Sequence, residues 1–337
     1  MCKMTALFKH MDIRCSCGDH HIKSCEDVME TLKNQFLPCR GCLADDLKKF
    51  RPLNQQVDLK NVDYQWKLCK CGRRHLDSVM AHVLKIMMEE GQRKNNSTLR
   101  HAGTPLITPG YPLKSPPYLG KDSLVLLTDE IDHKSALRIY KEVPEVRGVL
   151  KGDLKETVGV TDSESSPHTY QLLKGCDLRC DVLETPSGPI CIYKNQGQIH
   201  IEFPKPSNPK ITVLHETMDQ YSNPSVLDCT CGPGTLGISA LKSGARKVVF
   251  NDIWYPAAWI TSVNLGVNGF PVEFSQKKQG LIGEGDNFQV YCADLRDLKP
   301  FLDEKYDIGV IDPFPGVDFT EFSQIMGEIC HEVIIIG

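Results

Sequence analysis

The feature that most constrains the fold is a set of four apolar runs near the carboxy terminus, each of strand length and each ending in an acidic residue. The runs occupy residues 225–228, 247–252, 289–294 and 306–312. Segments long enough for helices separate them, and such alternation is typical of a parallel, doubly wound sheet. Because the carboxyl ends of parallel strands meet at one edge, we expect the acids to face a common crevice. The sequence therefore predicts an α/β, Rossmann-like domain over residues 205–337.

A glycine-rich turn, DCTCGPGTLG, follows the first run. Gly232, Gly234 and Gly237 would let the backbone approach a ligand closely and adopt positive φ angles. Such a turn by itself fits a nicotinamide cofactor equally well, so the later strand ends decide. Asp252 stands where a carboxylate can accept both hydroxyls of a ribose, and Asp294 suits a bond to an adenine amino group. The DPFPG sequence after the fourth run is unusual for nicotinamide enzymes and favours another cofactor.

In combination, these strand ends resemble the class I S-adenosylmethionine-dependent methyltransferases over roughly residues 205–337. The three glycines match the cofactor loop of that family, Asp252 its ribose acid and Asp294 its adenine-contacting acid. The resemblance implies that S-adenosylmethionine is the cofactor and that Asp228, at the end of the first run, also belongs to its binding site. DPFPG occupies the place of the family's (D/N)PP(Y/F) catalytic motif.

The residues Asp312, Pro313 and Phe314 suit methyl transfer to nitrogen. An exocyclic amine is a poor nucleophile because its lone pair is delocalised. The Asp312 side chain and the Pro313 carbonyl could accept its protons, while Phe314 stacks on an extruded base. Methylation of carbon 5 of a pyrimidine would need a cysteine nucleophile beside the motif, and DPFPG contains none. The alternative role for Asp312 is to cap the following helix.

Two further motifs indicate the substrate. The segment from NDIWY to NLGVNG, residues 251–269, resembles a helix of archaeal and eukaryotic tRNA guanine methyltransferases. Asp312-Pro313-Phe314 is similar to the DPFG of the tRNA N2,N2-dimethylguanosine enzymes, although Pro315-Gly316 replaces the expected Gly-Ser. We predict methylation of a guanine nitrogen in tRNA. The alternatives are a methyltransferase for a protein side chain or a small cofactor precursor, and a binding protein that has lost activity.

Eight of the fifteen cysteines lie within the first 71 residues, which indicates metal binding. The motif C-x-C-G-x-x-H occurs twice, at residues 15–21 and 69–75, and a C-x-x-C knuckle lies between the two copies. Thiolates at these spacings can share one tetrahedral zinc ion, and an iron–sulfur cluster is the less favoured metal. The candidate ligands, enough for two sites, are Cys15, Cys17, His21, Cys39, Cys42, Cys69, Cys71 and His75. The set 39, 42, 69 and 71 is the most ribbon-like, and His20 or Cys25 could replace a ligand of either repeat. Burial as small apolar side chains accounts for other cysteines, among them Cys176, Cys180, Cys191, Cys292 and Cys330.

Charge is divided unevenly along the chain. Residues 1–118 hold 19 lysines and arginines against 12 acids, whereas residues 119–337 hold 20 against 31. A basic amino-terminal region favours tRNA or another RNA as partner, with a solvated surface as the alternative. The sequence contains no long apolar run and no signal peptide, so we expect a cytoplasmic protein without a membrane partner.

The expected organisation has four parts. Residues 1–102 form a zinc-binding module, 103–118 a proline-rich linker, 119–204 an α+β middle domain and 205–337 the methyltransferase domain. The middle domain should contain a strand–helix–strand unit over residues 123–150 and a hairpin around Asn195-Gln196-Gly197. The methyltransferase sheet is expected to be truncated after a fifth strand, at residues 331–336. An exposed apolar edge is unfavourable, so we expect an upstream segment or a second subunit to cover it.

Overall fold

The computed structural model describes residues 15, 17–43, 47–60, 68–160, 167–302, 304–314 and 318–336. Pro315 and Gly316, the end of the DPFPG motif, lie outside these residues. No helix of the described part of the chain is long and apolar enough to cross a bilayer.

The described residues of the amino-terminal two thirds form three small sheets and three helices. The helices are α1 (Cys25–Gln35), α2 (Leu76–Glu89) and α3 (His133–Glu142). The strands are β1 (Arg74–His75), β2 (Thr104–Ile107), β3 (Tyr118–Leu119), β4 (Leu124–Thr128), β5 (Val146–Lys151), β6 (Gln171–Gly175), β7 (Leu178–Leu183) and β8 (Ile190–Asn195). Strand β1 pairs with β3, β7 pairs with β8, and a four-stranded sheet has the order β2-β4-β5-β6. The strand–helix–strand unit predicted over residues 123–150 is confirmed by β4, α3 and β5.

The expected boundary between a zinc module and a middle domain does not separate two cores. Val28 and Leu32 of α1 pack in the same apolar cluster as the α2 side chains and as Leu124 and Val149 of the four-stranded sheet. Nor is the proline-rich segment a free linker. Its residues 104–107 form β2, which pairs along β4. Proline is tolerated there because β2 is an edge strand, which need not donate on its outer side.

The hairpin predicted around residues 195–197 is wrong. Strand β8 pairs instead with the preceding strand β7, and residues 198–203 form no strand. The other edge of β8 is occupied by two side chains of a later helix. The Asn264 amide bonds to the backbone N–H and C=O of Tyr193, and the Asn268 amide does the same at Cys191. These amides satisfy the backbone groups that a hairpin partner would have used.

The carboxy-terminal third is a seven-stranded sheet flanked by helices. The helices are α4 (Pro209–Met218), α5 (Thr235–Lys242), α6 (Tyr255–Val267), α7 (Leu295–Leu298) and α8 (Thr320–Ile329). The strands are β9 (Ser225–Asp228), β10 (Lys247–Asn251), β11 (Glu273–Phe274), β12 (Gly280–Gly285), β13 (Phe288–Cys292), β14 (Tyr306–Ile311) and β15 (Cys330–Ile335). The order is β11-β12-β13-β10-β9-β14-β15, with the last five mutually parallel. The strand order reverses between β9 and β14, and ligands of such sheets bind at this switch point.

Strand β15 forms one edge of this sheet. Among the described residues, no strand pairs with its outer side, and Ile335 is 45 % exposed. The upstream contact that the structure places on it is a hydrogen bond of 2.8 Å from the Tyr221 hydroxyl to Glu332. No upstream strand among the described residues therefore covers the outer edge of β15. Pairing of this edge with a second copy of the chain stays a prediction. At the opposite edge, the antiparallel strands β11 and β12 extend the sheet beyond β13.

Candidate active site and cysteine clusters

The loop between β9 and α5 carries the three glycines that the sequence singled out. Gly232 and Gly234 have φ angles of 53° and 86°, in the left-handed region that favours glycine. No atom lies within 4 Å of the place where a Gly232 side chain would begin, so a ligand can approach this backbone. A Cβ on Gly234 would lie 2.8 Å from the Thr261 methyl group. A Cβ on Gly237 would collide with the Phe250 ring, so this glycine lets α5 pack on β10.

Asp228 ends β9 at the switch point and fixes the first turn of α5. It is buried, and its Oδ2 accepts a hydrogen bond of 3.0 Å from the Gly237 N–H. Burial raises the pKa of this carboxyl to about 7, although that hydrogen bond opposes the shift. Asp228 therefore shapes the loop from beneath it.

Asp252 follows β10 and closes the loop from the other side. Its two oxygens accept hydrogen bonds from the backbone N–H groups of Gly232, at 2.9 Å, and Trp254, at 2.8 Å. Burial raises the pKa of Asp252 to about 6. Each carboxylate oxygen can accept a second hydrogen bond, so ribose hydroxyls can be bound without breaking the existing ones.

Asp294 follows β13 and is already engaged. It caps the short helix α7 and forms two hydrogen bonds, of 2.9 and 2.6 Å, with the Arg296 guanidinium. Arg296 lowers the pKa of this carboxyl. An adenine amino group would have to share the carboxylate with Arg296, and the adenine contact stays a prediction.

Asp312 follows β14, next to Asp228 across the switch point. Its backbone N–H donates to the Thr230 hydroxyl at 2.8 Å. The ammonium group of Lys210 lies 3.0 and 2.7 Å from its two carboxylate oxygens and 3.1 Å from Glu202. Burial raises the pKa of Asp312, although Lys210 opposes the shift. The pairing of Asp312 with a lysine of helix α4 was not predicted from the sequence.

Further ion pairs on β7 and β8 connect to Lys210 through Glu202. Lys194 and Asp181 are almost fully buried and lie 3.3 Å apart, and Arg179 lies 2.7 Å from Asp181. Lys194 also approaches Glu202, at 3.6 Å. Burial would raise the pKa of Glu202, but Lys194 and Lys210 together lower it to about 2. Charged residues inside two apolar strand sequences, LRCDVL and ICIYKN, are the signal that could have revealed this network.

Phe314 lies between the sheet and the preceding region. Its ring packs edge to face on His200, with centroids 5.8 Å apart, and its tip would be 2.9 Å from a Cβ on Gly159. Burial lowers the pKa of His200, which favours the neutral imidazole. Phe314 and Pro313 are half-buried. The predicted catalytic segment therefore adjoins side chains of the middle domain, which can form one wall of a substrate cleft.

Comparisons with known proteins find similarity to methyltransferases. No protein-family model matches the chain. The ribosomal protein L11 methyltransferase of Shewanella piezotolerans is 31% identical over 116 residues, which is 32% of this chain and 40% of that protein. The ribosomal RNA large subunit methyltransferase I of Vibrio cholerae is 29% identical over 159 residues, which is 44% of this chain and 38% of that protein. Over these stretches the chain is similar to methyltransferases.

The match is confined to part of each protein. The chain spans about 40% of the length of these relatives. Among solved structures, a complex of aTrm5 with tRNALeu aligns with 75% of this chain and 62% of that one, at 16% identity and a TM-score of 0.39. At this TM-score and sequence identity, the structural similarity carries no conclusion about function.

Outside the seven-stranded sheet, the described residues include two clusters of cysteines that could hold a metal ion. Cluster two consists of Cys39, Cys42, Cys69 and Cys71, whose sulfur atoms all lie within 4.8 Å of one another. The distances from Cys39 to Cys69 and from Cys42 to Cys71 are both 3.5 Å. The Gly41 N–H points at the Cys39 sulfur, at 3.3 Å, as it does in metal-binding turns where N–H groups stabilise thiolates. This is the grouping that the spacing made most ribbon-like.

Cluster one consists of Cys15, Cys17, His21 and Cys176, again with all ligand atoms within 4.8 Å. The expected ligand His75 is brought to neither cluster. Its ring packs edge to face on Tyr118, and its Nδ1 accepts a hydrogen bond of 3.3 Å from Asp77 N at the start of α2. From the sequence we interpreted Cys176 as an ordinary buried cysteine. It lies 161 residues after Cys15, so the spacing of the motif gave no signal that the two share a site.

Proposed function

We propose that this protein is an S-adenosylmethionine-dependent methyltransferase that modifies a guanine nitrogen in tRNA. The observation that carries the proposal is the position of Asp312. It lies at the switch point of a class I methyltransferase sheet, beside the glycine loop, and it is followed by a half-buried Pro-Phe pair. Fold alone does not define an activity, so the argument depends on these side chains.

The residues around the loop suit an adenosyl cofactor. The open space above Gly232 admits a ligand to the backbone, and Asp252 keeps acceptor capacity for two ribose hydroxyls. Asp228 holds the loop and the first turn of α5 in place. When bound, S-adenosylmethionine supplies a methyl group on a positively charged sulfur.

The side chains after β14 would hold the acceptor base. Asp312 accepts a hydrogen bond from the exocyclic amine while Lys210 keeps the carboxylate in position, because each oxygen has a second acceptor site. The Pro313 carbonyl accepts the second amine proton, and Phe314 stacks on the base. Asp312 then takes up the proton that the methylated nitrogen loses, which the raised pKa of its buried carboxyl favours.

RNA is the preferred substrate class for two reasons. The first 118 residues carry an excess of cationic side chains, and one of the relatives acts on ribosomal RNA. We propose that the cysteine clusters hold zinc and position this basic region on the RNA backbone. The L11 methyltransferases favour a second candidate, the methylation of a protein side chain, for which the cysteine region would serve as a docking element.

Methyl transfer from labelled S-adenosylmethionine tests the proposal directly. The purified full chain is incubated with unmodified tRNA, with ribosomal RNA or with ribosomal proteins, and labelled nucleosides are identified by mass spectrometry. We expect methylguanosine from tRNA. Asp312→Asn should lower the rate at least about 100-fold, the range for loss of a general base. Asp286→Asn, on the exposed turn between β12 and β13, is the matched control and should retain full activity.

Three outcomes contradict the proposal at different levels. Label in protein and none in tRNA selects the second candidate. Label in ribosomal RNA alone rejects tRNA as the substrate. An absence of calorimetric heat for S-adenosylmethionine and its demethylated product rejects the cofactor and the activity together.

A further inference from the structure

We infer that cluster one is a Cys₃His zinc site completed across the fold by Cys176, and that its metal fastens the amino-terminal segment to the middle domain. The inference concerns metal binding and does not depend on methyl transfer. Cluster one joins ligands that are 161 residues apart in the chain. A ligand pair with that separation cannot be deduced from the C-x-C-G-x-x-H spacing.

The distances suit a shared ion and exclude a disulfide. The Cys15 sulfur lies 3.2 Å from the sulfurs of both Cys17 and Cys176, and the Cys17 sulfur lies 3.3 Å from His21 Nδ1. A disulfide requires about 2.05 Å. Ligands about 2.0–2.3 Å from a tetrahedral zinc ion stand roughly 3.3–3.8 Å apart, and these three distances are close to that range. All four ligand atoms lie within 4.8 Å of one another.

The backbone fixes both halves of the site. Cys15 and Cys17 lie on a turn in which the Gly18 N–H donates to the Cys15 carbonyl at 2.8 Å, with Gly18 at a φ of 88°. Cys176 follows β6, and its N–H donates to the Arg147 carbonyl at 3.0 Å. The Cys176 backbone packs so closely on Gly148 of β5 that a side chain there would collide with it. Cys176 is therefore a ligand held rigidly by the four-stranded sheet.

Burial and access are both consistent with a structural metal. Cys15 and Cys176 are buried at the edge of the main apolar cluster, whereas Cys17 is exposed. A cavity of about 320 Å³ adjoins Cys17 and His21 and gives an ion a path to the site. Nearby, the Lys23 N–H donates to the Tyr193 hydroxyl of β8 at 2.9 Å. Metal at cluster one would thus hold residues 15–23 against β6 and β8.

Metal content of the full chain tests the ligand set. By elemental analysis after purification in zinc-containing medium, we expect two zinc ions per wild-type chain and one per chain of Cys176→Ser. Cys17→Ser should also retain one, and because Cys17 is exposed, its replacement does not disturb the core. Cys25→Ala is the control, since this half-buried cysteine lies outside both clusters, and it should retain two ions.

Cobalt substitution identifies the ligands, and proteolysis tests the fastening. A Cys71→Ser chain, with only cluster one intact, should show weaker thiolate-to-cobalt absorption per ion than a Cys176→Ser chain, because imidazole replaces one thiolate.

Chelation of the Cys71→Ser chain should accelerate tryptic cleavage after Lys23. The same zinc content in Cys176→Ser as in the wild type, or cleavage at an unchanged rate, would overturn the inference. Each readout is independent of S-adenosylmethionine, so its failure is distinct from failure of the proposed activity.

Discussion

The two C-x-C-G turns are nearly identical locally and differ in what completes them. In the first, Cys15 N donates to the Asp19 carbonyl at 3.2 Å and Gly18 N to the Cys15 carbonyl at 2.8 Å. In the second, the corresponding bonds from Cys69 to Arg73 and from Gly72 to Cys69 have the same lengths. The backbone pattern of the repeat is therefore preserved.

Their partners come from different distances along the chain. The second turn faces Cys39 and Cys42, at the surface, and the histidine of its repeat caps a helix instead. The first turn uses its own histidine and a cysteine from beyond β6. A short motif thus specifies the turn, while tertiary packing specifies the partner. The difference predicts unequal consequences for the two clusters.

The largest contrast should appear in stability. Cys176→Ser removes a ligand at the edge of the main core, and we expect the free energy of unfolding to fall by about 4 kcal/mol, as for loss of a structural metal. Cys71→Ser affects an exposed cluster and should lower the main unfolding transition by less than about 1 kcal/mol. Denaturant titration followed by circular dichroism measures both. Equal losses would show that the two clusters support the core alike.

Acidification should weaken cofactor binding at Asp252. Burial raises the pKa of Asp252 to about 6, so its folded-state pKa exceeds the unfolded value and the apoprotein loses this contribution to stability as pH rises through about 6. In the proposed function, Asp252 binds S-adenosylmethionine as the ionised carboxylate, so cofactor binding should change in the opposite sense. Its dissociation constant should increase about tenfold per pH unit below about 6. Calorimetry between pH 5 and 8, with Asp252→Asn as control, measures the slope; a flat profile would exclude ionised Asp252 from binding.

The smallest contrast concerns the two histidines of the repeat. His75→Ala should retain both zinc ions and lower stability by about 1–2 kcal/mol, because a helix cap and the packing of the ring on Tyr118 are lost. His21→Ala should reduce the metal content to one ion. Elemental analysis and thermal unfolding of the pair decide the point. Loss of zinc from His75→Ala would restore the symmetrical ligand assignment that the repeat suggests.

Much of the methyltransferase domain could be predicted because its signals are short-range. Strand-length apolar runs, a glycine turn and acids at strand ends predicted β9, β10, β13 and β14 in their sheet. The site around Asp312 was predicted only in part. Lys210 and Glu202 lie in segments with no motif. Lys210 reaches Asp312, and Glu202 reaches Lys210, because α4 and the end of the middle domain pack beside the switch point.

The segment NLGVNG shows the same limit. Its resemblance to a helix of tRNA guanine methyltransferases served to predict the substrate, and the structure shows Asn264 and Asn268 bonded to the backbone of β8. Asn264 also donates to the Pro233 carbonyl of the glycine loop at 2.9 Å. These amides therefore connect the cofactor loop to the middle domain, a role that depends on a strand more than 70 residues earlier.

Four strands of the large sheet, the glycine loop, the acids at the strand ends and the cysteine turns could be predicted from the sequence, because each depends on residues within a few positions of one another. Three features became visible only in the folded chain: Cys176 completes cluster one, Lys210 pairs with Asp312, and the amino-terminal helices share a core with the middle domain. The first two of these contacts join side chains 161 and 102 residues apart. They form only when separate elements pack together, and no local pattern encodes that packing.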